Sequence, residues 1–184
     1  MTARERLIGE LREHALVLGD VVLASGRTAS YYIDARRAIL RPLGFTALAE
    51  LVADFARQLG ATAVGGLTIG ADPVACAALA GGAECTAFFV RAQAKEHGLA
   101  RQVEGPPLTA DDRCLVVEDV VTTGGSTLKA IEALGAFGVT VCGVLAVLDR
   151  LAGGADAIRA AAGGAPYLAL TTIDDVYPER PDRV

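Results

Sequence analysis

The chain has 184 residues, 52% of them hydrophobic, enough for one domain of ordinary size with a full core. Its formal charge of −5 and pI near 5.0 argue against general nucleic-acid binding, which needs a basic surface, and leave room only for a local basic pocket. No apolar run reaches the length of a membrane span, and the charged start "MTARERLIGELREH" carries no secretory core, so a cytoplasmic protein is expected.

Residues 3–18 set Leu7, Ile8, Leu11, Ala15 and Leu18 on one helical face, which predicts an N-terminal helix with His14 on its surface. "VVLAS" (21–25) then reads as a strand, "GRT" as a turn and "SYYIDAR" (30–36) as a second strand, together a hairpin. Residues 43–59 are helical in period, with Leu48, Leu51, Val52, Phe55 and Leu59 toward the core and Gly60 as the stop. Apolar strands and helices then alternate. "AVGGLTI" (63–69) is a strand, a helix starts near Pro73, and "CTAFFV" (85–90) is the next strand. A polar loop fills 92–107, followed by the strand "CLVVED" (114–119), a helix over 127–137 and the strand "VTVCGVLAVLD" (139–149). A short alanine-rich helix and "YLALTTI" (167–173) close the chain. This predicts an α/β fold, a central, mostly parallel sheet flanked by helices on both faces, in a single domain over residues 1–184. Cys76, Cys85, Cys114 and Cys142 stand far apart in apolar surroundings and read as buried reduced thiols; with two histidines there is no zinc-ligand spacing.

The stretch "RCLVVEDVVTTGGSTLKAIEALGAFG" (113–138) carries the chemistry. An apolar strand runs into Glu118-Asp119, at the carboxyl end where open α/β sheets bind ligands. The loop after it leads into a helix N-terminus, whose free amides and dipole favour an anion. Hydroxyls of Thr122, Thr123, Ser126 and Thr127 add donors, and Gly124 and Gly125 let the backbone close around a phosphate. The acids are awkward beside a phosphate unless they hold something else; vicinal ribose hydroxyls or a hydrated magnesium ion would suit them. Neither the G-x-x-x-x-G-K-[ST] nor the G-x-G-x-x-G spacing is present. A helix cap with solvated acids is the plainer alternative.

Strand, two acids, two apolar residues and a Thr/Gly/Ser loop together resemble the phosphoribosyl-pyrophosphate (PRPP) signature of type I phosphoribosyltransferases. "ASGRTASYYIDAR" (24–36), "VRAQAKEHG" (90–98) and "GVLAVLDR" (143–150) are similar to orotate phosphoribosyltransferases, and "GGLTIGADPVA" (65–75) and "QVEGP" (102–106) to their actinobacterial-type members. The resemblance covers nearly the whole chain. It implies the type I phosphoribosyltransferase fold, with a small hood built from about residues 1–40 and a flexible catalytic loop.

The implied activity is magnesium-dependent transfer of ribose 5-phosphate from PRPP to orotate, in pyrimidine synthesis. PRPP would meet Arg91, Lys95, His97, Glu118, Asp119, Val120, Val121, Thr122, Thr123, Gly124, Gly125 and Ser126, with Lys95, Glu118 and Asp119 catalytic. Orotate would meet Tyr32 and Ile33 through the backbone, Thr122, and Arg150. The amides of residues 68–71 would hold pyrophosphate, Asp72 would cap the helix before Pro73, and Mg2+ would be held mainly by PRPP, without dedicated metal ligands. A homodimer is implied, with loop 92–104 carrying Lys95 and His97 into the neighbouring active site; no nucleic acid or membrane is a partner. Read from residues alone, "RAQAKEHG" is also a solvated loop, Tyr31 and Tyr32 are also core aromatics on alternating faces, and Arg150 is also a surface charge opening a helix. The sequence departs from familiar members at Ala24, Gly70 and Ala92, each where a lysine is common. Alternatives on the same fold are a purine phosphoribosyltransferase and a non-catalytic PRPP-sensing regulator.

Overall fold

The computed structural model describes residues 1–22, 28–93 and 102–183. Thr2 caps the first helix, α1 (Ala3–Glu10): its hydroxyl accepts from the Glu5 amide, and the Glu5 carboxylate accepts from the Thr2 amide. The helix expected through residue 18 stops earlier. A π-helical turn (Leu11–Ala15) ends it, and strand β1 (Leu16–Val22) begins at once. The run Leu16-Val17-Leu18 suits a strand as well as a helical stripe, and pairing with strand β2 (Thr28–Ile33) decides the matter. The two run antiparallel, Leu16 opposite Ile33 and Val17 opposite Tyr32, which is the hairpin read from the sequence with its first strand shifted toward the N-terminus.

A short helix α2 (Arg36–Ile39) follows, and then α3 (Pro42–Leu59). Pro42 opens α3, where its missing N–H costs nothing, and Gly60, at φ 59°, closes it in the left-handed conformation that suits glycine. Leu48 and Val52 are fully buried, each contributing roughly 1.5–3 kcal/mol of transfer free energy. Leu51, Phe55 and Leu59 pack partly buried beside them.

The remaining elements are β3 (Ala63–Leu67), α4 (Asp72–Ala80), β4 (Thr86–Val90), β5 (Val103–Glu104), β6 (Arg113–Val121), α5 (Gly125–Gly135), β7 (Thr140–Asp149), α6 (Gly154–Ala161), β8 (Tyr167–Thr172) and α7 (Ile173–Val176). They build a six-stranded sheet in the order β5-β4-β3-β6-β7-β8, parallel except for β5, which runs antiparallel to β4. Two residues of the polar 92–107 stretch therefore join the sheet. Alternation along β6 feeds both sides of it. Leu115 and Val117 share a core with Leu48 and Val52 of α3 and Ala75 of α4, while Cys114 and Val116 share one with Leu134 of α5 and Ile158 of α6. β1 and β2 form a separate two-stranded sheet, the hood of the expected fold. The cysteines are free, but only Cys114 and Cys142 are buried; Cys76 is exposed on α4, contrary to expectation. Among the described residues no helix is long and apolar enough to cross a membrane.

Candidate active site

Strand β6 does not stop at the acids. It continues two residues further, to Val121, because Val120 and Val121 pair with Leu148 and Asp149 of β7. The acids therefore stand inside a sheet rather than on a loop, which buries Glu118 to 5% exposure. Its neighbours are Thr127, whose hydroxyl donates to Oε2 at 3.4 Å, and the adjacent Asp119. Burial pushes the Glu118 carboxyl far above its ordinary range, and hydrogen bonding and repulsion from Asp119 push the same way. Glu118, one half of a dyad with its neighbour Asp119, therefore favours its protonated form.

Asp119 is less buried and is held from several sides. Oδ1 accepts from the Val120 amide at 2.8 Å, and Oδ2 lies 3.8 Å from Nε of Arg36. Arg36 is itself anchored on Asp34, at 2.9 and 3.3 Å. Gly70 lies against the same carboxylate: a Cβ built there would sit 2.4 Å from Oδ1 and 2.7 Å from Cγ. The glycine found where a lysine was a possibility is thus a close-approach position.

The loop after β6 closes a cleft of about 250 Å³ lined by Glu118 and residues 120–127. Every residue from Val120 to Ser126 read as part of a phosphate loop borders it. Gly124 takes φ 84°, open to glycine at little cost, and α5 begins one residue later, two before the expected start. Its first residues, Gly125, Ser126 and Thr127, line the cleft, and the free amides of a helix N-terminus favour anions. Thr122, Thr123 and Ser126 are exposed there. Thr127 is not; its buried hydroxyl serves Glu118, so it leaves the set of phosphate donors.

At the neighbouring strand end, the amide of Arg150 donates to the Val121 carbonyl at 2.9 Å, so Arg150 is tied to the strand that carries the two acids. Asp149 fixes the turn beyond it: Oδ1 accepts from the Leu151 amide at 2.7 Å, Oδ2 from the Tyr167 hydroxyl at 2.7 Å, and Leu151 takes φ 56°. Arg150 opens no helix; Nη2 donates to the Tyr31 hydroxyl at 2.9 Å, and Nε is buried with no partner among the described residues. Tyr31 is 3% exposed and Tyr32 37%, the alternation expected of β2. Among the described residues β2 pairs on one side only, so alternate N–H and C=O groups near Tyr32 and Ile33 face outward.

In the 68–71 loop, the Thr68 amide donates to the Val90 carbonyl and the Ala71 amide to that of Leu67. Of the expected anion donors this leaves the amides of Ile69 and Gly70, after a cis Thr68–Ile69 peptide. Asp72 is the first residue of α4 and makes no capping bond; Oδ1 is buried without a partner and burial raises its carboxyl. Arg91 pairs with Glu104 at 3.6 Å across β4 and β5. Ala24, Lys95 and His97 lie outside the described residues. Among the described residues no group of three or more His, Cys, Asp or Glu is arranged to hold a metal ion. The sequence reading passed over Arg36, Asp34 and the tail residue Asp182, which accepts from Tyr31. Their signal was the charge density of "IDARR" and "YPERPDR" flanking the better motifs.

An anion-binding loop between a strand with paired acids and a helix N-terminus, at the carboxyl end of a parallel sheet, defines a phosphoribosyltransferase of type I fold. The family model described as a phosphoribosyl transferase domain matches residues 46–160. The orotate phosphoribosyltransferase of Corynebacterium glutamicum (strain R) is 45% identical over 175 residues, covering 95% of this chain and 94% of that protein. The crystal structure of Mycobacterium tuberculosis orotate phosphoribosyltransferase with Fe(III) dicitrate superposes with TM-score 0.85 at 41% identity, over 95% of this chain and 99% of that one. The same enzyme in complex with 5-phospho-alpha-D-ribosyl 1-diphosphate gives TM-score 0.80 at 36% identity, over 95% and 98%. The chain belongs to the orotate phosphoribosyltransferases.

Proposed function

We propose that the chain transfers ribose 5-phosphate from PRPP to N1 of orotate, releasing pyrophosphate and forming orotidine 5′-monophosphate, the nucleotide-forming step of pyrimidine synthesis. The observation that carries this reading is the placement, at adjacent strand ends, of a loop built for one phosphate and an arginine with an unpartnered donor. Residues 122–126 hold the 5′-phosphate through the amides at the start of α5 and the hydroxyls of Thr122, Thr123 and Ser126. Val120 and Val121 shape the floor of that cleft. The Glu118–Asp119 dyad borders the ribose, where its one net charge opposes the positive charge that develops as the glycosidic carbon opens. The amides of Ile69 and Gly70 receive the pyrophosphate, helped by Arg91.

Magnesium would be held mainly by the oxygens of PRPP rather than by dedicated ligands of this chain, and would supply positive charge to the leaving group. Orotate lies along the open edge of β2 at Tyr32 and Ile33, with Thr122 beside it and Arg150 on its anionic edge, a charge-assisted pairing. N1 of orotate can bind as the anion, so no dedicated base is needed. Lys95 and His97 act in the partner subunit of a homodimer, where cations stabilise departing pyrophosphate more than the ground state. Such an enzyme works in the cytoplasm, where its substrates are made.

The test is loss of orotate absorbance in the presence of PRPP and magnesium, run beside adenine, hypoxanthine and uracil. Turnover of orotate alone supports the reading; turnover of a purine instead of orotate overturns it. Arg150→Ala narrows the base assignment. It should raise the KM for orotate by about 10-fold or more, as removal of a charge-assisted pair of roughly 1.5–3 kcal/mol requires, and move that for PRPP much less.

A further inference from the structure

Arg150 does not reach its place unaided. Its Nη2 donates to the Tyr31 hydroxyl at 2.9 Å, and that hydroxyl lies 2.9 and 3.1 Å from the two carboxylate oxygens of Asp182. The directions follow from chemistry. A guanidinium only donates, a carboxylate only accepts, and a phenol has one proton. Tyr31 must therefore give its proton to Asp182 and offer its lone pair to Arg150. Asp182 stands 4.0 Å from the guanidinium, too far for a direct hydrogen bond, so its hold on Arg150 runs through the phenol. Burial keeps the Tyr31 hydroxyl protonated, as the relay needs.

The rest of the cluster is built to hold this geometry. The Tyr31 ring lies under the guanidinium, 4.9 Å from centroid to Cζ, and meets Tyr177 edge-on at 5.3 Å and 81°. Arg180 binds both Asp174, just beyond β8, and Asp182 at 3.2 Å, which pins the tail. This fastens one edge of the Arg150 guanidinium, while Nε is buried with no partner among the described residues.

We propose that Asp182 is a positioning residue for the base: through Tyr31 it fixes the guanidinium of Arg150, which meets the anionic edge of orotate. This rests on Arg150 being the orotate contact. It makes the C-terminal segment 177–183 a working part of the base site rather than a tail.

The test is a double-mutant cycle in steady-state kinetics on the full chain. Asp182→Ala and Tyr31→Phe should each raise the KM for orotate by about 3- to 10-fold and leave that for PRPP within about 2-fold. The double variant should be no worse than Tyr31→Phe alone, because both changes cut one relay. Asp182→Asn keeps an acceptor oxygen and should recover part of the loss. Effects that multiply, or an equal rise in both KM values, overturn the proposal in favour of a merely structural tail. Arg150→Ala, measured in parallel, separates the two layers. If it leaves orotate KM unchanged, the orotate assignment fails and the relay with it. If it raises orotate KM while Asp182→Ala does not, only the relay fails.

Discussion

Replacing Glu118 by glutamine should make the protein more stable, and increasingly so as the pH rises. The carboxyl is buried in the sheet, pressed by Asp119, and its pKa in the folded protein lies far above the 4.5 of a free side chain. A raised carboxyl pKa means that the folded state holds a proton the unfolded state has released. Stability from this group is whole below the unfolded value and is lost as the pH climbs toward the folded one. Within that window the loss is about 1.4 kcal/mol per pH unit, whatever the upper limit. Glu118→Gln keeps the shape and can still accept from Thr127, but it has no proton to lose. Between pH 5.5 and 7.5 the variant should therefore gain about 3 kcal/mol on wild type.

Urea unfolding of the two proteins at pH 5.5, 6.5 and 7.5 measures this directly. Asp119→Asn is the informative control. Burial is the first cause of the Glu118 shift and Asp119 a lesser one, so that variant should keep most of the wild-type slope. Parallel stability curves for wild type and Glu118→Gln would refute the buried, protonated Glu118 and the dyad built on it.

Other changes test the site itself. Asp119→Asn should lower turnover by about 100-fold or more with the fold retained, if its charge opposes the opening ribose as proposed; near-normal turnover would transfer that role elsewhere. Gly70→Ala should also lose activity, because its Cβ displaces the Asp119 carboxylate or the pyrophosphate loop, and a crystal structure of the variant with Asp119 unmoved would contradict this. Lys95→Ala should be nearly inactive, yet mixing it with Asp119→Asn should restore about a quarter of wild-type activity at statistical exchange, since half the dimers are hybrids with one intact site. Exchange confirmed by mass without recovery would place Lys95 in its own subunit's site.

The alternating fold was legible because its signals are periodic. Buried parallel strands such as Ala63–Leu67 have few polar residues to confuse them, and Gly60 marks the end of α3. Boundaries failed where one pattern serves two structures. Leu16, Val17 and Leu18 fit a helix stripe and a strand equally, and only the partner β2, distant in sequence, selects the strand. The loop that lines the cleft was legible because its glycines and hydroxyl residues sit together in one short segment. What escaped was assembled from afar: Arg36 beside Asp119, and Asp182 beside Tyr31 across 151 residues. No local spacing encodes such contacts, and the charges that make them look like ordinary surface residues in the sequence.

Two adjacent acids next to a phosphate loop pose an electrostatic problem that the burial of Glu118 solves. Fully ionised, the pair would place one negative charge on the lining of the cleft proposed for a dianionic phosphate and a second on the adjacent residue, with repulsion strengthened by the low dielectric of the surrounding sheet. Keeping one proton on the dyad halves that charge. It also gives the buried carboxyl a hydrogen to donate, which a ribose oxygen can accept. The Asp119 carboxylate faces Arg36 and Gly70. The same pair serves catalysis better than two anions would. Charge that opposes an opening ribose is useful only in the transition state, whereas repulsion of the 5′-phosphate acts at every stage of binding. A protonated Glu118 therefore lets a site rich in acids hold an anionic substrate.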